Sequence, residues 1–176
     1  LSSPGLRHPA SRAAVAAGVG KTVPENVLPA ALLALNSDQN GAASIQQAMR
    51  FLRSCSKTPP PVSSMQEETL AFGLYYGSVN EYLDTVCDHL LEDSDWKFLA
   101  LGKSLINAAR SEGIETGWLM AGLFAAVFCD LGILPRLAPG LMQIVCAPAL
   151  LAQGMENANK PTTVLPFVTD ENYEFC

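Results

Sequence analysis

The sequence predicts an all-α protein, and three observations carry that reading. Apolar residues recur at helical spacing through most of the chain, and glycines and prolines punctuate the runs at helix-length intervals. No alternating apolar–polar stretch is longer than residues 162–167, so nothing reads as a convincing strand.

The helices follow in order. Residues 13–17 form a short alanine-rich run closed by Gly18 and Gly20, and residues 26–35 (NVLPAALLAL) make a helix with Leu28, Leu32, Leu33 and Leu35 on its apolar face. In residues 42–55, Ile45, Ala48, Met49 and Leu52 fall at i, i+3, i+4 and i+7, the spacing of an amphipathic helix. Residues 56–64 (SKTPPPVSS) break the pattern, because three prolines cannot sustain a helical hydrogen-bond ladder; this is the expected linker or hinge. Ser78 and Glu81 have capping-box spacing and open a helix with Tyr82, Val86 and Leu90 on one stripe. Asp93 to Asp95 suit the positive end of the next helix, residues 96–111, which Gly113 closes. Residues 117–131 are apolar nearly all round, the mark of a central buried helix. Leu134-Pro135 ends it, and residues 141–155 make a further buried helix. The tail from 160 is expected to be extended, and residues 1–176 read as a single domain.

Composition narrows the function. The 176 residues include 11 basic and 17 acidic side chains, for a net charge of -6. Charged residues make up only 16 % and hydrophobic ones 49 %, with a mean hydropathy of +0.19, which excludes a largely disordered chain. So few charges suggest that another chain covers some apolar surface, and a homo-oligomer is the expectation. The acidic balance argues against nucleic acid, which needs a basic face. The longest charge-free run, residues 137–155, is just long enough to span a bilayer, but its two prolines, two glutamines and alanines fit a packed helix, so no membrane span is expected. Charge is uneven: residues 1–66 have a net of +4 and the rest a net of -10. A basic first third can meet an anionic ligand, and Arg7, His8, Arg12 and Lys21 are its candidate contacts.

The five cysteines form no CxxC pair, so no zinc ribbon or thioredoxin-like motif is present; a reducing, cytoplasmic compartment fits. Cys87-Asp88-His89 are helix neighbours that point in different directions, and no metal site is expected. Gly18-Val19-Gly20-Lys21 fails the phosphate-loop spacing, and no hydrolase, zinc-protease or dinucleotide motif occurs.

The order of segments says more than any one residue. Residues 12–18 leading into an Ala/Leu helix, then residues 37–43 (SDQNGAA) opening an amphipathic helix, resemble the citrate synthase and citryl-CoA lyase superfamily, whose arginine-led helix runs into a "HGGA" turn. Residues 101–113 (LGKSLINAARSEG) and 114–135 (IETGWLMAGLFAAVFCDLGILP) are similar to that family's helix, "NVD" segment, buried helix and "LGIP" stop. Residues 141–157 (LMQIVCAPALLAQGMEN) resemble its "GRVAGWLAHILEQ" helix, and residues 170–173 sit where its closing tyrosine segment lies.

The resemblance implies a citrate synthase-like helical bundle. It also implies a chemistry in which a carboxylate takes a proton from an acyl-CoA methyl, histidines hydrogen-bond the enol and carbonyl, and arginines hold dicarboxylate and CoA phosphates. Carried onto this chain, most of those positions are empty. The turn histidine falls at Asn40, and the "GFGH" histidine near Leu74, with no "DPR" behind it. The catalytic aspartate falls at about Ala121 and the late arginine near Cys146. His8 lies within a residue or two of an early substrate histidine, and Arg12 near a helix arginine. Asp130 is the only acid in the buried helix and lies too far along it to replace the base. The resemblance therefore implies a catalytically degenerate protein that acts by binding, by regulation or by forming an oligomer with itself or an active paralogue. No bound cofactor is expected, and the resemblance implies CoA or acyl-CoA as the ligand the family would take. The alternatives are an acyl-CoA carbon–carbon lyase or synthase completed by unorthodox residues or a partner chain, and an unrelated helical adaptor. Because the family's large domain contributes fold before the matched part, the resemblance also reads the chain as a fragment.

Overall fold

The computed structural model describes residues 3–38, 41–62 and 70–165. Among these, seven α-helices carry the architecture: α1 (Pro9–Val19), α2 (Pro24–Leu35), α3 (Ala42–Cys55), α4 (Glu81–Asp93), α5 (Lys97–Ser111), α6 (Met120–Asp130) and α7 (Ala138–Asn157). Two short strands, β1 (Phe72–Gly73) and β2 (Gly117–Trp118), pair antiparallel. The described residues divide into two compact units, those within 35–146 and those within 3–34 and 147–165.

In the larger unit α6, apolar up to its last residue Asp130, is buried on nearly every side, and it packs along α3 and α5. The α3 helix buries Ile45, Ala48, Met49 and Leu52, the four residues of its apolar spacing. Trp118 lies over Gly102 of α5, where a Cβ would collide with the indole; the ring fills the space that glycine leaves. Phe72 stacks on Trp118 with centroids 5.0 Å apart, so the strand pair is held from the core side as well as by its backbone.

In the smaller unit α1 and the second half of α7 touch backbone to backbone. A Cβ on Gly18 would meet the Gly154 carbonyl, and one on Gly154 would meet Val27 of α2. Glycine at both positions is what allows this approach.

Several elements depart from the sequence reading. Ser78 and Glu81 form no capping box: Ser78 bridges back to Tyr75 across a tight turn, and Asn80 takes the N-cap position of α4. Tyr76 and Gly77 both have positive φ (53° and 80°), the geometry of a type I′ turn, and that turn uses the serine. On α4 the buried residues are Leu83 and Cys87, while Tyr82 is exposed. On α2 the buried face is Val27, Ala31 and Leu35, and Leu33 is 80 % exposed. Gly117–Trp118 is strand rather than the start of α6, because the backbone there pairs with β1. The helix expected at 141–155 begins at Ala138, and only 28 % of its most apolar window is buried, so it is not a core helix in this chain. Residues 162–164 form a 3-10 turn instead of extended chain. Residues 63–64 of the proline-rich segment, the tail from 166, and Asn40 lie outside the described residues.

Candidate functional site

The β1–β2 pair brings together two of the segments singled out in the sequence. Phe72 pairs with Trp118 and Gly73 with Gly117, and Leu74 and Thr116 are the residues that flank this pair in the chain. The Leu119 amide donates to the Ala71 carbonyl at 3.0 Å and extends the contact. Beyond Leu74 the chain enters the Tyr75–Ser78 turn, closed by the Tyr75 amide on the Ser78 carbonyl at 2.7 Å. Burial raises the Tyr75 phenol well above its ordinary value, and the adjacent Tyr76 adds to the effect, so it stays protonated.

This junction offers little acid–base chemistry. Leu74 is half-buried and aliphatic, and Ala121, in the first turn of α6, is fully buried. Thr116 is buried with its hydroxyl unpartnered, while its carbonyl accepts from Arg110 Nε at 2.8 Å. Sequence reasoning passed over Thr116 because a hydroxyl carries no charge signal. Asp130 of α6 faces the other way along the helix and accepts the Phe98 and Leu99 amides of α5 at 2.9–3.0 Å. It satisfies first-turn amides of α5 from outside that helix, where the sequence reading looked only to the nearby charges of Asp93 to Asp95. Cys146 is fully buried in α7, and desolvation pushes its thiol up to about 11, so it offers neither the charge nor the donors of an arginine.

The four candidate anion contacts lie in the smaller unit but do not form one site. The His8 amide donates to the Gly5 carbonyl at 3.1 Å, a turn that carries Arg7 at its tip. The His8 side chain is fully buried, and its Nδ1 accepts the Ala10 amide at 3.1 Å, so it serves as the N-cap of α1. Arg12 is exposed in the first turns of α1. Lys21 lies past the other end, with positive φ (55°), separated from Arg7 by a helix roughly 16 Å long. Arg7 and Arg12 remain close enough in sequence to act on one ligand, and Lys21 does not.

A polar cleft in the larger unit escaped the sequence reading. Asp84, Cys87 and Asp88 of α4, Lys103, Asn107 and Arg110 of α5, and Trp118 of β2 line about 160 Å³. Arg110 Nη2 meets Asp84 at 2.7 Å and Lys103 meets Asp88 at 2.5 Å. Desolvation, opposed in part by the neighbouring Trp118 indole, pushes the Cys87 thiol up to about 11. The signal was present as two acids one turn apart on α4 and two bases two turns apart on α5, but only the packing shows that they meet. His89, next to Cys87 in sequence, is exposed beside Glu92 on the solvent side. Among the described residues no group of three or more His, Cys, Asp or Glu is placed to hold a metal ion.

The helices and their order give this chain a citrate synthase-like all-α fold. Among solved structures it is similar to citryl-CoA lyase from Hydrogenobacter thermophilus, with a TM-score of 0.71 at 20 % sequence identity, covering 98 % of this chain and 71 % of that one. No family model matches the sequence, and no curated protein does. The fold resemblance read from segment order is therefore present in three dimensions, at 20 % sequence identity.

Proposed function

We propose that this chain is a noncatalytic protein of citrate synthase-like fold, a pseudoenzyme that works as a binding, regulatory or oligomer-forming subunit. The observation that carries the reading is the use of Asp130. The one carboxylate of α6 is bound to two backbone amides of α5, and the Leu74 and Ala121 positions hold only hydrocarbon. A methyl-activating enzyme needs a proton acceptor at its reacting carbon, and neither a methyl nor an isobutyl group is one.

Apolar surface supports the oligomer. Leu33 on α2 and, in the other unit, Leu131, Leu134, Leu137 and Ile144 are each about half exposed or more. The α7 helix, whose only charge is Glu156, has length and composition enough to cross a membrane, but Gln143 and Gln153 suit a protein partner better than lipid. A second copy or an active paralogue fits this surface, in a reducing, cytoplasmic compartment consistent with four buried, unpaired cysteines. Arg7 and Arg12 are the residues that would meet a small anion such as a dicarboxylate or the phosphates of CoA.

The nature of the structural neighbour, a citryl-CoA lyase, favours a second reading: an acyl-CoA carbon–carbon lyase or synthase completed by unorthodox residues of this chain or by a partner chain. Calorimetric titration with acetyl-CoA, CoA, citrate and oxaloacetate, run beside a CoA-release assay, separates the two. No turnover by the purified chain is expected, and turnover would overturn the noncatalytic reading.

A further inference from the structure

We infer that the cleft between α4 and α5 binds a small dipolar ligand, one carrying both a carboxylate and an ammonium group, such as a free α-amino acid. The inference is independent of the noncatalytic reading above, since the cleft shares no residue with the Leu74–Ala121 positions.

The four ionic side chains do not close on one another into a packed cluster. They bracket a space: Asp84 with Arg110 stands at one end and Asp88 with Lys103 at the other. Asn107 lies between the two bases on the same face of α5, and its carboxamide makes no hydrogen bond among the described residues. The floor is Cys87 and Trp118, each 1 % exposed. The lining thus offers unspent guanidinium, ammonium and amide donors from α5 and unspent carboxylate oxygens from α4, over an uncharged base.

Charge balance selects the guest. A singly charged ion matches one member of an ion pair and leaves the other without its partner, a costly arrangement in a half-buried site. A dipolar guest inserts between the pairs and satisfies both: its carboxylate takes donors from Lys103, Asn107 and Arg110, and its ammonium donates to Asp84 and Asp88. The small volume excludes ligands of drug size, which occupy roughly 300 Å³ or more.

The test is titration of the full chain with glycine, L-alanine and L-serine, read by tryptophan fluorescence and by calorimetry, with acetate and methylammonium as singly charged probes. Saturable binding of at least one amino acid at millimolar concentration is expected, about tenfold or more tighter than either control. Lys103→Met and Asp88→Asn should each weaken it about tenfold or more while circular dichroism stays unchanged, and Asp93→Asn, outside the cleft, should leave it as it was. Absence of saturation with all three amino acids overturns the inference, as does equal binding of acetate or binding that survives both cleft substitutions.

Discussion

The Asp130 carboxylate, near the end of α6, accepts the Phe98 amide at 2.9 and 3.0 Å and the Leu99 amide at 3.0 Å. These are first-turn amides of α5, which have no intrahelical partner, and the negative charge also suits the helix's positive end. A single side chain thereby ties α6 to α5.

Replacing that carboxylate tests its structural role. Asp130→Ala should cost about 0.5–2 kcal/mol of stability, the usual range for loss of a helix cap. Urea unfolding would show a lower midpoint at unchanged slope. An unchanged midpoint would mean that the cap contributes nothing and would reopen Asp130 as a chemical group.

The Gly18–Gly154 crossing leaves no room for a side chain. Gly18→Ala forces a methyl against the Gly154 carbonyl, and a loss of about 1–3 kcal/mol is expected from overpacking. Gly140→Ala, where a Cβ meets nothing within 4 Å, is the matched control and should be neutral or slightly stabilising within its helix. Equal effects from the two would remove the close approach as an explanation.

Thiol titration sets an alkaline limit on stability. Burial pushes Cys87 and Cys146 up to about 11, above the 9.0 of a free thiol. Between those values the unfolded chain has released protons that the folded chain still holds, so stability falls as pH rises. The contribution is fully present below pH 9 and is lost as pH climbs towards 11. Unfolding midpoints at pH 8 and pH 10 would show the decline. At pH 8 a thiol reagent should modify these cysteines only as fast as the protein opens, and rapid modification of the folded chain would contradict their burial.

Leu33 gives a direct test of association, because its 80 % exposure means that substitution removes almost nothing from the interior. Leu33→Glu should keep its helicity and lose mass by light scattering at micromolar concentration, while the unmodified chain gives an oligomer. A monomeric unmodified chain would sink the oligomer reading. An oligomer untouched by the substitution would move the interface away from α2.

The sequence by itself determined the helical class, α3 to the residue, and the near-complete burial of α6, because these follow from local periodicity and from the absence of charge over a turn or more. It also determined that Leu74 and Ala121 lack proton-accepting groups, since side-chain chemistry needs no fold to be read. Only the tertiary structure decided which apolar residues are covered: Leu33 and Val27 belong to the same leucine-rich helix, yet one faces out and the other is fully buried. It also put Asp130 on the first-turn amides of α5, and it set Asp84 and Asp88 against Arg110 and Lys103. A cap 31 or 32 residues away and two ion pairs between helices are products of packing, and packing depends on distances between segments that spacing along the chain does not encode.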